Sequence, residues 1–342
     1  MSTVSPSSAS STSASRWQAA PSVADDSALI AAVVRGGVVE SVHHGHVVGI
    51  GADGSEVVRL GRPEGEVYAR SSLKPLQAVA LLRAGLDLDG PLLALACASH
   101  SGEPVHRDGV LAVLAGAGLS EADLDNTPDF PIGEQAALEW RSSGLPKTSL
   151  AQNCSGKHAA MLATCVAAGW DTAGYLDVEH PLQLAVRTAV EELTGDPARH
   201  TSVDGCGAPL FSCTVTGLAR AFGAIASAAA SGGDDALARV GGAMNRHPEM
   251  VGGTGRDVTA LMAGVPGLVA KDGAEGVYAV GLADGRAAAL KVLDGSQRAR
   301  PVVMAAVLRE LGLDAPVLEE VGNVEVLGHG RPVGAVEVAA LR

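Results

Sequence analysis

Arg70-Ser71-Ser72-Leu73-Lys74-Pro75 is the stretch at which this sequence changes character, and the fold is read outward from it. Upstream lie short β-branched runs, Ile30–Val34, Val38–Val42, Val47–Ile50 and Val57–Leu60, separated by Gly-Gly, His-Gly-His and Ala-Asp-Gly-Ser turn signals. That pattern predicts an antiparallel meander. Downstream the apolar spacing shifts to the helical period over Lys74–Ala84, Val110–Ala117, Lys157–Ala168, Leu182–Leu193, Phe211–Ala229 and Ala236–Asn245. Strand character returns in Val277–Leu282 with Ala287–Leu293, and in Val324–Leu327 with Val333–Val338, both pairs flanking glycine-containing turns. Strands from both ends can share one sheet only if the termini come back together, with the helical block packed on that sheet. The expected fold class is therefore α+β: an antiparallel sheet from about 28–61 and 271–342, a central helical lobe over about 71–263, and a site where the two meet.

Residues 1–27 lie outside this unit: eight of the first 16 are serine, a composition that cannot bury enough surface to offset its ordering entropy. They are expected to form a disordered tail ahead of a catalytic domain spanning 28–342. The remainder of the 342 residues is long enough for a sizeable core, and with 47% hydrophobic but only 3% aromatic residues that core must be built from Ala, Val, Leu and Gly. Against 25 Lys and Arg stand 38 Asp and Glu, a net charge of −13, which argues against a nucleic acid or an acidic membrane as partner and for a small substrate. No apolar run reaches the ~20 residues of a membrane helix, and no apolar stretch follows Arg16 as a signal peptide requires. A soluble, cytoplasmic protein with reduced Cys97, Cys154, Cys165, Cys206 and Cys213 is expected.

Ser71 and Lys74 are three residues apart, a spacing that puts both on one face of a helix, and Pro75 suits its first turn. A serine hydroxyl needs an adjacent base to become a nucleophile, and a desolvated lysine can serve. The motif alone also reads as a helix cap followed by a surface lysine. Two later segments give it company: Ser99-His100-Ser101-Gly102-Glu103-Pro104 after the apolar run Leu92–Ala98, and Lys271-Asp272-Gly273-Ala274-Glu275-Gly276. Their order matches the S-x-x-K, second serine and late lysine of penicillin-recognising enzymes, although Asp272 stands where a Lys-Thr-Gly motif needs threonine. In this arrangement two lysines and two hydroxyls surround one acyl group, and each lysine lowers the proton affinity of the other.

A further group is Asn153-Cys154-Ser155-Gly156-Lys157-His158 with the distant Asp204-Gly205-Cys206-Gly207-Ala208-Pro209. It lacks C-x-x-C spacing, so two thiolates would need Lys157 or His158 to complete a metal shell; buried small side chains beside glycine turns are the alternative. Val251-Gly252-Gly253-Thr254-Gly255-Arg256-Asp257 lacks P-loop spacing; its glycines are expected to admit a small ligand, with Arg256 or Asp257 near its polar ends. His43-His44-Gly45-His46 reads as an exposed hairpin turn.

Taken together, these motifs resemble the class 3 L-asparaginases of the Rhizobium etli type, with Arg70-Ser71-x-x-Lys74-Pro75-x-Gln77, Ala98-Ser99-His100-Ser101-Gly102-Glu103-Pro104, Asn153-Cys154-Ser155-Gly156-Lys157-His158, Asp204-Gly205-Cys206-Gly207-x-Pro209, Gly252-Gly253-Thr254-Gly255-Arg256 and Lys271-x-Gly273-x-Glu275-Gly276 in order from about Ile30 onward. The resemblance implies a serine β-lactamase-like, glutaminase-like fold and hydrolysis of L-asparagine to L-aspartate and ammonia. It implies Ser71 paired with Lys74 and Ser99 with Lys271, a zinc ion on Cys154, Lys157 and Cys206, a pocket lined by Arg70, His158 and Asp204, and a homodimer. Of the two serines, Ser71 is favoured as nucleophile because its lysine lies in the same helical turn. A glutaminase, another serine amidohydrolase, and a non-catalytic binder of metal or amino acid on the same scaffold are the competing readings.

Overall fold

The computed structural model describes residues 22–232 and 235–341, so most of the expected tail lies outside the described residues. In chain order the elements are β1 (Ala28–Arg35), β2 (Val38–Ile50), β3 (Glu56–Leu60), β4 (Glu66–Tyr68), a 3-10 turn (Arg70–Leu73), α1 (Lys74–Arg83), α2 (Gly90–Ala96), α3 (Pro104–Gly116), α4 (Glu134–Ser142), α5 (Ser155–Ala168) and α6 (Pro181–Thr194). There follow β5 (Thr201–Val203), β6 (Pro209–Thr214), α7 (Val215–Ala230), α8 (Ala236–Arg246), α9 (Pro248–Val251), α10 (Asp257–Gly264), β7 (Val269–Gly273), β8 (Val277–Gly281), β9 (Ala287–Val292), α11 (Ala299–Glu310), α12 (Val317–Gly322), β10 (Glu325–Gly328) and β11 (Arg331–Val338).

The large sheet runs β10-β11-β1-β2-β9-β8-β7, with β3 also on β2, and every pairing in it is antiparallel. Strands from both ends of the chain thus share one sheet, and the architecture is α+β. Helices cover both faces. Because side chains alternate along a strand, Tyr278 on β8 lies under the Arg300 guanidinium of α11, whereas Gly281, an odd number of residues away, faces the backbone of α7 at Phe222. All residues of β7, β8 and β9 are consequently buried, which is why β8 reads as a continuous apolar run rather than an alternating one. A second sheet, β4-β6-β5, borders the helical lobe.

Two sequence expectations are corrected here. His43-His44-Gly45-His46 is not an exposed turn: β2 runs unbroken through it, and His43 and His46 are each 1% exposed. The His46 ring accepts from Arg62 N (2.9 Å) and therefore donates from Nε2 to the Val23 carbonyl (2.7 Å), a satisfied buried histidine. Gly45 marks close backbone approach rather than a turn, since a Cβ there would collide with the Lys291 carbonyl of β9. The helix expected over Phe211–Ala229 begins only at Val215, because Pro209–Thr214 pairs with β4 and β5. Thr214 caps α7 by accepting from Gly217 N (2.8 Å), and a short apolar run fits either element on periodicity alone.

Candidate active site

The catalytic candidates converge where α1, the loop after α2 and the edge strand β7 meet. Arg70 enters the 3-10 turn at φ 52, a left-handed conformation that costs a non-glycine residue energy and that clusters at functional sites. The turn passes directly into α1, with Pro75 in the first helical turn, where its missing N–H leaves no intrahelical bond unmade. Residues Lys74 through Leu82 of α1 are all buried, so the Lys74 amine is forced to find partners inside the protein.

It finds them across the site. Lys74 Nζ donates to the Ala98 carbonyl and lies 3.0 Å from Ser99 Oγ. The close pair is therefore Lys74 with Ser99, not Lys74 with Ser71; the four-carbon stem carries the amine beyond its own turn, where only the Lys74 backbone N–H meets the Ser71 carbonyl. Ser71 is half-buried, and its hydroxyl makes no hydrogen bond among the described residues. Ser72, which spacing arguments passed over, is fully buried and donates to the Lys271 backbone carbonyl (3.1 Å), tying the turn to β7.

The Ser99 loop is held on two sides. Ser99 N bonds to Val251 O (3.1 Å), His100 N to Asn153 O (3.2 Å) and Ser101 N to Gly252 O (2.8 Å). The His100 ring meets Ser155 Oγ at 2.9 Å; as that hydroxyl spends its proton on the Leu150 carbonyl, His100 is the donor, and burial keeps the ring far below the usual histidine proton affinity. Gly253, at φ 113, serves this loop: a Cβ there would stand 2.5 Å from Ser101 Oγ. Glu103 caps α3 and accepts from Thr254 N (2.8 Å), closing the same contact.

Lys271 occupies β7, a strand of its own ahead of β8, opposite Ala279. Its Nζ is fully buried and bonds only to Asp272, at the backbone carbonyl (2.7 Å) and Oδ1 (2.7 Å). Burial lowers its proton affinity to about 8, with Asp272 opposing the shift and Lys74 adding to it. Lys271 makes no hydrogen bond to Ser71 or Ser99 among the described residues.

The thiol group is assembled by α5 and the turn between β5 and β6. Cys154 is the N-cap of α5 and Lys157 lies in its first turn, while Cys206 comes from the turn, with Lys157 Nζ 3.2 Å from Cys206 Sγ. Both cysteines are free and nearly inaccessible, at 4% and 2% exposure. The facing Cys206 thiol holds Cys154 well below the usual thiol range and is itself pushed up; burial works against the Lys157 charge, yet the sulfurs raise its proton affinity. No cluster of three or more His, Cys, Asp or Glu is placed for a metal among the described residues, so a metal here would need the Lys157 amine. Two buried sulfurs converging with an amine are a donor set that fits zinc.

Arg70 reaches Asp204 at 2.7 Å, and although burial opposes it, Lys157 and Arg70 hold that carboxyl below the usual range. His158 follows Lys157 on α5; its Nδ1 meets the Tyr175 hydroxyl at 2.7 Å, Nε2 is buried without a partner, and burial holds the ring neutral. The same Tyr175 hydroxyl accepts from Asp125 N (3.3 Å). An open cleft of about 1030 Å³ borders the site; of the candidates only Arg70 lines it, beside Glu275 and Lys291.

No curated protein matches this chain. Among solved structures, a β-lactamase from Mycobacterium bovis shares 15% identity at TM-score 0.37, over 79% of this chain and 95% of that one. A structure described as Mglu shares 15% at TM-score 0.34, over 79% of this chain and 65% of that one. Superpositions this loose bear on neither fold nor chemistry. The sequence profile described as L-asparaginase II, by contrast, matches residues 31–338, from the fourth residue of β1 to the last residue of β11 and across every segment that builds the site. Because that match takes in nearly the whole described chain, the protein belongs to the L-asparaginase II family of amidohydrolases.

Proposed function

We propose that this protein hydrolyses L-asparagine to L-aspartate and ammonia by Ser–Lys catalysis through an acyl-enzyme, and that Lys74 activates Ser99. The observation that carries the reading is the buried Lys74 Nζ, 3.0 Å from Ser99 Oγ. The other partners of the Lys74 amine are the Ala98 carbonyl and the neighbouring Cys154 sulfur, which hold it facing Ser99 for the proton transfer. Oγ attacks the side-chain carboxamide carbon as its proton passes to Lys74. The tetrahedral intermediate collapses when the lysine returns the proton to the departing nitrogen, which leaves as ammonia. Water then attacks the acyl-Ser99 carbonyl, losing a proton to Lys74, and Ser99 is restored as L-aspartate departs.

Ser71, Lys271, Arg70, His158 and Asp204 complete the proposal. The Ser71 hydroxyl is unengaged and available to substrate or water, and burial brings the Lys271 proton affinity down to about 8, toward the range an acid–base group needs. Arg70, Asp204 and the buried, unpartnered Nε2 of His158 are suited to the polar ends of an amino acid. Cys154, Lys157 and Cys206 would hold zinc. The chemistry such a centre supplies is a Lewis-acid charge that orients a polar group or polarises a carbonyl.

The homodimer and the cytoplasmic location belong to the same proposal. Val38 and Val39 of β2, Leu327 of β10 and Val333 of β11 are exposed, apolar surface suited to a second copy, and all five cysteines are unpaired, as a reducing compartment would keep them. No helix among the described residues is long and apolar enough to cross a membrane. Ammonia release measured in parallel on L-asparagine and L-glutamine tests the activity. Turnover confined to asparagine is expected; equal turnover would transfer the assignment to a glutaminase, and thermal stabilisation by asparagine without ammonia would replace catalysis by binding.

A further inference from the structure

The segment Gly252-Gly253-Thr254-Gly255-Arg256 has no part in the reaction as written, yet its last residue reaches into the site. Arg256 Nη2 lies 2.6 Å from Asp272 Oδ2, and Nη1 donates to the Ser99 carbonyl (3.3 Å). The other oxygen of the same carboxylate, Oδ1, holds Lys271 Nζ at 2.7 Å. One carboxylate and one guanidinium therefore form a continuous bridge from the Lys271 amine to the Ser99 backbone. Asp272 is 6% exposed, and Arg300 of α11 stands 3.5 Å from Oδ2, so the carboxylate is compensated from several sides. Arg300 is itself fixed by donating to the Gly273 carbonyl (2.8 Å), one residue along β7.

We propose that Arg256 and Asp272 are positioning residues that fix β7, with Lys271, against the Ser99 loop; the role rests on the Ser–Lys reading above. The planar guanidinium suits this task because its fork serves two acceptors in fixed directions, which a lysine amine on a flexible stem does not reproduce. Neither residue touches the substrate.

The test compares the parent enzyme with Arg256→Met, Arg256→Lys and Asp272→Asn, recording kcat and KM for L-asparagine against pH. In Arg256→Met, kcat is expected to fall about 100-fold with KM changed less than about threefold, the loss typical of misplaced catalytic groups. Arg256→Lys keeps a cation beside Asp272 but loses the second arm, so its kcat should recover only in part, to about tenfold below the parent. Arg256→Lys also carries the test should Arg256→Met fail to fold. The charged or titratable groups around Lys271 are Asp272 on its own strand, Arg256 ahead of α10, Lys74 on α1 and Cys97 after α2, with Asp257, Tyr278 and Arg300 around Asp272. Asp272 is the anion that favours the charged lysine, so Asp272→Asn should move the Lys271-dependent limb of the kcat profile to lower pH by about one unit or more. Folded Arg256 variants with kcat within about threefold of the parent, and an unmoved profile in Asp272→Asn, would overturn the proposal. A parent that releases no ammonia from L-asparagine would instead overturn the reading beneath it.

Discussion

Ser99 and Ser71 differ in a way their sequence spacing hides. Ser99 is 4% exposed, carries the Lys74 contact and is held by backbone bonds on either side, whereas the Ser71 hydroxyl is unengaged on a half-buried turn. Ser99→Ala should therefore lower kcat by a factor on the order of 10³ or more, as loss of a nucleophile does. Ser71→Ala should leave acylation of Ser99 detectable, by mass spectrometry of rapidly quenched protein, even where turnover slows. An acyl group found on Ser71 and never on Ser99 would reverse these roles. The sequence placed Ser71, Lys74, Ser99 and Lys271 among the candidates but misassigned the partner of Lys74, because helical spacing says which residues share a face and not how far a lysine stem reaches. Asp272 passed unnoticed as a partner, although a charged residue within an apolar strand must be compensated from somewhere.

The elements act through close backbone approach, which glycine makes possible. Gly156, in the first turn of α5 between Cys154 and Lys157, faces α2: a Cβ there would sit 2.5 Å from the Leu95 carbonyl and 2.7 Å from Leu95 Cγ. Gly156→Ala should push α5 outward at the end that carries Lys157. The overpacking should cost about 1–3 kcal/mol in denaturant unfolding; an unchanged unfolding free energy would refute the packing argument. That strands from both ends of the chain share one sheet was legible from turn signals at each end. The unbroken course of β2 through His43–His46 and the strand at Phe211–Thr214 were not. Glycine in a strand and glycine in a turn look alike locally, and pairing with β9 in one case and with β4 and β5 in the other decided the outcome.

At the scale of the whole molecule, a core drawn from the sheet and the helical lobe together encloses two amines, Lys74 and Lys271, that an apolar interior would ordinarily exclude. The Lys271 proton affinity falls on folding from 10.5 to about 8, so between those pH values the unfolded chain binds more protons than the folded one and stability rises with pH. Against Lys271→Met, which has no such group, the parent should gain on the order of 3 kcal/mol as pH rises from 8 to 10.5. A difference in unfolding free energy that stays flat over that window would mean the amine is not desolvated. The central claim is that this enclosure turns Lys74 into the base that activates Ser99. It is tested most directly by ammonia release from L-asparagine in Lys74→Met, whose side chain fills much the same buried volume without an amine. A rate lower by a factor on the order of 10³ in a folded protein is expected, and a rate within tenfold of the parent would contradict the account.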